Sequence, residues 1–301
     1  MICFRDWGIN REYQTHELTL EQVLFESAPA KINLGLHIIR RRADGYHDLA
    51  TVFHPIGWAD RITVSSAGEI SMTCTDATLS CGRDNLVIRA AKLLREVAGI
   101  DQGASFHLEK VLPYGAGLGG GSSDAATALR MLCNLWKLDD SALALGSLAL
   151  KIGSDVPFFL HGHTAHAEGR GERLTPMTDY VFPFSLTVVV PPIHISTSWA
   201  FQQVNVSETN RTNLIDVVRS NDLDRWRCEL VNDFEKPVFS QWPAIQQIKS
   251  SLLRSGAGFA SLTGSGAGVY GIFESREDAE GAAEEAAAKG YATWHQAAVN
   301  I

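Results

Sequence analysis

The chain is poor in the features that mark membrane, secreted and nucleic-acid-binding proteins. No run of about 18 apolar residues occurs in it, so no stretch is expected to span a bilayer. Cysteine is scarce and odd in number: Cys3, Cys74, Cys81, Cys133 and Cys228, with no Cys-x-x-Cys spacing. That argues against a disulfide framework or a zinc site, and for reduced thiols in a cytoplasmic protein. Basic residues are outnumbered 26 to 34 by acidic ones, for a net charge of −8, which disfavours bulk binding to nucleic acid or anionic membrane. Met1–Leu24 carries Asp6, Glu12, Glu17 and Glu21 and has no apolar h-region, so it does not read as a signal peptide. Residues 1–26 are expected to be an extension, with a short helix over Thr15–Phe25. Internal repeats and low-complexity tracts are absent too.

What remains is ordinary globular composition, 45% apolar and 20% charged over 301 residues, enough for one large or two medium domains. Its most informative stretch is Pro113-Tyr114-Gly115-Ala116-Gly117-Leu118-Gly119-Gly120-Gly121-Ser122-Ser123-Asp124, which runs directly into a helical pattern with Leu129, Leu132, Cys133 and Trp136 on one face. Glycines let main-chain N–H groups converge and a ligand approach closely, and a helix N-terminus adds free donors. The combination is an anion site suited to phosphate. Gly115, Gly117 and Gly120 fit the dinucleotide fingerprint, but Pro113 breaks the lead-in, and Asp139/Asp140 follow a helix where that motif needs an acid after a strand. A Walker A loop requires a lysine that is missing here. A flexible linker would seldom lie between a strand and a strongly apolar helix. A phosphate loop of another kind fits best.

In chain order, Ser27–Ile39 alternates as a half-buried strand with Lys31 and Asn33 on one face; a solvated edge is the bland interpretation of that pair. An Asp44-Gly45 turn follows Arg40-Arg41-Arg42, and Tyr46-His47 beyond it offers two flat rings for stacking a base. Leu49–Gly57 and Arg61–Ser65 read as two strands. Asp84-Asn85 opens a helix over Leu86–Ala98 whose apolar face is Leu86, Ala90, Leu93, Leu94 and Val97, with Gly99 as its stop. A strand over Ala104–Lys110 feeds the glycine loop, and Asp139/Asp140 cap a helix over Ser141–Lys151. Asp155, in Ser154-Asp155-Val156-Pro157, fits a helix N-cap that could also hold a catalytic carboxylate. His161, His163 and His166 suggest a metal, but no carboxylate or cysteine at ligand spacing completes a set. Ala167–Arg173 is a hairpin turn. Phe184–Val190 is a buried strand, and Pro191-Pro192 marks the domain boundary. Helices over Asn213–Arg219, Asp222–Val231 and Pro243–Arg254 follow. A strand over Gly258–Thr263, a second glycine loop at Gly264–Gly268 and a strand over Val269–Phe273 come next. An alanine-rich helix capped by Ser275 and a last strand over Tyr291–Val299 complete a ferredoxin-like pattern.

The loop at Pro113–Ala126 resembles the second motif of the GHMP kinases, and Leu262–Gly268 resembles their third. Ala28-Pro29-Ala30-Lys31-Ile32-Asn33-Leu34, Arg42-Ala43-Asp44-Gly45-Tyr46-His47 and Gly153-Ser154-Asp155-Val156-Pro157-Phe158 are similar to the branch that acts on a cytidine-diphosphate-linked methylerythritol. The resemblance runs from about residue 27 to the C-terminus. It implies an α+β fold of two domains: residues 27–190, like domain 2 of ribosomal protein S5 and binding ATP, and a ferredoxin-like domain over 191–301. It implies transfer of the ATP γ-phosphoryl group to the 2-hydroxyl of the substrate, with Asp155 as general base beside Lys31. ATP would lie against Asn85, Lys110 and the loop Pro113, Tyr114, Gly115, Ala116, Gly117, Leu118, Gly119, Gly120, Gly121, Ser122 and Ser123. The third loop, Thr263, Gly264, Ser265 and Gly266, completes the site. Substrate would meet Asn33, Tyr46, His47, Asp155, Thr197 and Phe201. Lys31, Lys110, Arg170 and Arg173 could offset polyphosphate charge. Mg²⁺ is expected with ATP, held mainly by phosphates and water, with Ser122 or Ser123 able to add an oxygen and no protein-held metal. No nucleic-acid or membrane partner is expected, and the protein should be a monomer or weak homodimer.

Overall fold

The computed structural model describes residues 23–139, 143–204, 206 and 211–298. The expected helix at Thr15–Phe25 lies outside them except at its end, where Val23 already begins a strand; Asp140, Ser141 and Val299 also lie outside. Two long antiparallel strands, β1 (Val23–Arg41) and β2 (His47–Ala67), form the spine of the first half. β2 merges the two strands expected from the sequence. The partners Pro29↔Ala59 and Ala30↔Ile56 show that Gly57 and Trp58 are taken up as a bulge rather than a turn, because β1 runs on unbroken opposite them. The sheet is completed by β3 (Ser71–Cys74), β4 (Gly103–Glu109), β5 (Ala165–Gly169) and β6 (Arg173–Pro176), in the order β3-β4-β2-β5-β6 with β1 on β2.

Helices α1 (Leu86–Ala98), α2 (Gly120–Leu135), α3 (Leu145–Ile152) and α4 (Val156–His161) belong to this half, and α2 packs against α1, α4 and β1. α1 has the caps the sequence signals: Asn85 Oδ1 accepts from Val87 N, and Gly99 ends it at φ 64°. Its buried face is Val87, Ile88, Ala90, Ala91 and Leu94, so Val97, expected inside, is exposed. α2 starts within the glycine run and is buried nearly all round, since Ala125, Ala126 and Ala128 let neighbours close on it from several sides. α3 begins only at Leu145, after Ala144 rather than an aspartate cap.

The second half holds β7 (Ser185–Val190), α5 (Thr197–Gln203), α6 (Leu214–Arg219), α7 (Leu223–Glu229), α8 (Glu235–Gln241), α9 (Pro243–Arg254), β8 (Phe259–Leu262), β9 (Val269–Phe273), α10 (Arg276–Ala288) and β10 (Ala292–Gln296). Its sheet runs β10-β7-β9-β8, all antiparallel, which is the ferredoxin-like order. β7 is bonded into this sheet, so the change of sheet precedes Ser185 instead of following Val190. α5 and α8 carry no strong periodic signal and were not expected.

β1 is an edge strand that the second half covers. Leu36 N donates to Val231 O (2.8 Å), Asp233 N to Leu36 O (2.9 Å), and Ile38 N to Asp233 Oδ2 (2.7 Å). Tyr270 Oη donates to Asn33 O (2.8 Å). Ile32, Leu34 and Val52 share an apolar cluster with Phe184, Trp226 and Tyr270 across the same junction. Lys31 and Asn33 are therefore buried, and the solvated-edge interpretation fails.

His54 lies at this junction, bonded through Nδ1 to Thr164 Oγ1 (2.8 Å) and stacked on Phe182. Burial pushes its imidazole down to about 4. A histidine with a depressed folded pKa contributes stability above its unfolded value near 6.5, and that stability is lost as pH falls towards 4. Urea unfolding midpoints should drop between those pH values by the equivalent of roughly 3 kcal/mol. His54→Gln should remove most of that slope; an equal acid slope in the variant would contradict the assignment.

Candidate active site

Between the halves lies a cleft of about 1110 Å³. It is lined by Lys31, Asn33, Tyr46, His47, Lys110, residues 113–122, Asp155, Thr197, Phe201, Gly264, Ser265 and Gly266. Three of the expected site residues do not line it. Asn85 spends its side chain on capping α1 and on Ser80 O. Ser123 is fully buried, with a hydroxyl that has no hydrogen-bond partner among the described residues. Thr263 stands behind the third loop, where its Oγ1 accepts from Asn33 N (3.3 Å).

The two glycine loops meet main chain to main chain. Gly268 N donates to Ala116 O (3.0 Å), and Thr263 Oγ1 lies 3.4 Å from Gly117 O. A Cβ on Gly117 would sit 2.0 Å from Thr263 O, and Gly117 has φ 79°; a Cβ on Gly266 would sit 2.2 Å from Gly117 N. Only glycine permits this approach at either position. Residues 113–119 thus form a loop braced from behind, and α2 opens at Gly120 with its first residues, Gly120–Ser122, lining the cleft and its first-turn N–H groups free of intrahelical partners.

Lys31 and Asp155 face each other across the floor. Lys31 Nζ donates to Asn33 Oδ1 (2.6 Å), Asn33 Nδ2 donates to Thr51 Oγ1 (2.9 Å), and Thr51 Oγ1 donates to Gly35 O (2.5 Å). This relay fixes both side chains on β1. The ammonium is 3.9 Å from Asp155 Oδ2 and 5.0 Å from the Phe53 ring centroid. Burial lowers the Lys31 pKa, and Asp155 opposes that only in part. Asp155 occupies the N-cap position of α4, but its carboxylate caps nothing, against expectation. It turns into the cleft instead, about a third exposed.

At the other end, His47 stacks on Phe201 (centroids 5.1 Å, 25° apart), which rests edge-on against Phe234. Burial, helped by Arg41, lowers the His47 pKa, so its ring is neutral near pH 7. Tyr46 takes a different partner: the Arg170 guanidinium lies 4.7 Å from its ring centroid. Tyr46, just before β2, and His47, its first residue, both line the cleft, each against its own partner. Arg170 lines the cleft, whereas Arg173 does not. Thr197 opens α5 behind its cap Ser196, placing Phe201 one turn on.

Sequence reasoning missed several groups. Asp60, fully buried in β2, accepts from Lys110 Nζ (2.5 Å) and from the N–H groups of Val111 and Leu112. Lys110 also reaches Asp124 (3.1 Å), whose carboxyl burial pushes up to about 7 although Lys110 opposes it. Asp60 is a lone acid inside a strand pattern, so only its misfit with that pattern could have flagged it. His194, stacked on Tyr114 at the rim, carries no signal in the sequence.

Comparison with known proteins shows the family. The family model for the GHMP kinases N terminal domain matches residues 85–163, and the one for the GHMP kinases C terminal matches 213–292. A Salinibacter ruber protein named 4-diphosphocytidyl-2-C-methyl-D-erythritol kinase is 49% identical, the match covering 83% of this chain and 90% of that protein. A protein of the same name from Prosthecochloris aestuarii is 46% identical over 89% and 95%. A crystal structure of 4-(cytidine 5'-diphospho)-2C-methyl-D-erythritol kinase superposes with TM-score 0.77 at 35% identity, over 90% of this chain and 98% of that one. Homoserine kinase from Cytophaga hutchinsonii shares the fold, with TM-score 0.70 at 17% identity over 93% and 96%. With both halves matched, and relatives this similar along most of its length, the chain belongs to the GHMP kinases.

Proposed function

We propose that the cleft transfers the γ-phosphoryl group of ATP to the 2-hydroxyl of 4-diphosphocytidyl-2-C-methyl-D-erythritol, giving the 2-phosphate of the non-mevalonate isoprenoid route. The observation that carries this is the joint placement of a braced phosphate loop and the Lys31–Asp155 pair in one cleft. The kinases named above, 46–49% identical, support the choice of alcohol. ATP is the co-substrate, its phosphates lying along residues 113–122. The hydroxyl gives its proton to Asp155 as its oxygen attacks the γ-phosphorus, and the bond to the β-phosphate oxygen breaks to release ADP. Lys31, held by Asn33, balances charge beside the acceptor. His47 on Phe201 is placed to receive the cytosine, and Thr197 to meet the substrate from the second half.

Arg170 has a role of its own in this account. A Cβ on Gly171 would sit 3.4 Å from Asp155 Oδ1, so its neighbour Arg170 enters the cleft near Asp155, and the Arg170 guanidinium lies over Tyr46. Arg170 lines the same cleft as His47 and Asp155, and in this reading its guanidinium meets the diphosphate that joins the base to the alcohol.

Mg²⁺ would accompany ATP and draw charge from its phosphates. Among the described residues no group of three or more His, Cys, Asp or Glu could cage an ion. Ser122, which lines the cleft, is the serine able to add an oxygen to an ion carried by the nucleotide. For the division of labour, the catalytic part ends before Ser185 and the C-terminal part begins with β7. Free thiols at Cys74, Cys81 and Cys228, and the lack of a described helix long and apolar enough to cross a membrane, support a cytoplasmic enzyme. Its proposed state is a monomer or weak homodimer.

Asp155→Asn should lower kcat by about 10²–10⁴ while ATP still binds; near-normal turnover would rule Asp155 out as the base. Arg170→Ala should raise KM for the cytidine-diphosphate substrate about tenfold with kcat and KM for ATP little changed. An unchanged KM would remove Arg170 from the diphosphate path. Both constants come from one coupled ADP-release assay.

A further inference from the structure

Below the phosphate loop lies a charge cluster that the transfer step does not use. Asp60 is fully buried at the β2 bulge, and its two oxygens do different work. Oδ1 accepts from Val111 N (2.6 Å) and Leu112 N (2.8 Å), the last two amides before Pro113 and the loop. Oδ2 accepts from Lys110 Nζ (2.5 Å), which also donates to Asp124 Oδ2 (3.1 Å). The Lys110 side chain is 8% exposed and still reaches the cleft wall. Its ammonium lies 3.2 Å from where a Cβ on Gly120 would be, that is, against the first turn of α2.

We propose that Asp60 is a positioning residue of the nucleotide site: it fixes the entry to the phosphate loop and holds the Lys110 ammonium against the first turn of α2. The proposal rests on the assignment of residues 113–122 to ATP. A lysine on a four-carbon stem is otherwise a mobile point charge. Here two carboxylate partners take two of its three N–H groups and leave one to meet a phosphate. Two carboxylates around one ammonium would also repel a triphosphate if both were ionised. The buried Asp124 carboxyl, with Oδ1 lacking any hydrogen-bond partner, is the one poised to keep a proton. Asp60 accepts from three donors, Lys110 Nζ and the amides of Val111 and Leu112, where Asp124 accepts from Lys110 alone. The two acids are therefore not equivalent.

Dissociation constants for ATP, measured by calorimetry without any alcohol present, test this. Asp60→Asn turns an amide N–H towards the ammonium and should weaken ATP binding about 10- to 100-fold, as should Lys110→Met. In the double variant Asp60→Asn/Lys110→Met the loss should match that of Lys110→Met alone to within about twofold, because Asp60 acts through Lys110. Asp124→Asn still offers an oxygen to Lys110 and should stay within about threefold of wild type. Lys110→Arg tests the same claim without touching Asp60: it keeps the charge, misplaces it and should bind ATP weakly. The proposal is overturned if Asp60→Asn only lowers the thermal midpoint while ATP affinity holds. It is also overturned if the two single losses multiply, or if Lys110→Arg binds like wild type. Wild type that failed to bind ATP would sink the kinase assignment and this proposal together. A different alcohol acceptor would leave all of these constants as they are.

Discussion

The cleft depends on one contact, the main-chain packing of the loop at 113–119 against the loop at 264–268. At Gly117 and Gly266 there is no room for a single carbon between the two backbones. The phosphate loop is shaped from outside as much as by its own sequence, since its rear wall belongs to the other half of the molecule. The amide of Gly268 and the hydroxyl of Thr263 supply polar partners, so the loop's carbonyl groups are not left bare in a buried seam. The same seam covers the edge of β1, which is why a lysine and an asparagine on an edge strand come to be buried.

Burial then sets the electrostatics. The chain carries a net charge of −8, yet it must receive two polyphosphates. Three of the cations that face the cleft are held by geometry: Lys31 by Asn33, Lys110 by Asp60 and Asp124, Arg170 by the Tyr46 ring. Phosphoryl transfer draws mainly on positioning and on charge placed in advance, so fixed cations in a partly dry cleft suit it. Lys31 shows the cost. Its pKa is lowered by burial, and its distance from Asp155 makes it a neighbour of the carboxylate rather than a bonded partner.

Much of this was legible in the sequence, and the rest was hidden for identifiable reasons. Glycine loops, the Asn85 and Ser275 caps and the strand pattern flanking the third loop are local signals, and they stand where expected. The pairing of Lys31 with Asn33 followed from two-residue spacing on a strand. Burial of that pair did not, because it depends on Thr263 and Tyr270, more than two hundred residues away. Gly57 looked like a strand end because its bulge is set by β1 opposite, and β7 was credited to the wrong half because an all-apolar strand does not say which sheet it joins. Asp155 looked like a cap because its flanking residues are those of a cap; only the fold shows its carboxylate turned away from the helix. Asp60 escaped notice since long-range hydrogen bonds leave no periodicity.

The most direct test of the seam is the ATP dissociation constant of Gly266→Ala, in protein shown to be folded by circular dichroism. The added methyl cannot fit beside Gly117, so the loop that cradles the phosphates must shift without any change in its own residues. A loss of about tenfold or more in ATP affinity is the predicted result. Wild-type affinity in a folded Gly266→Ala protein would mean that the second half does not shape the phosphate loop.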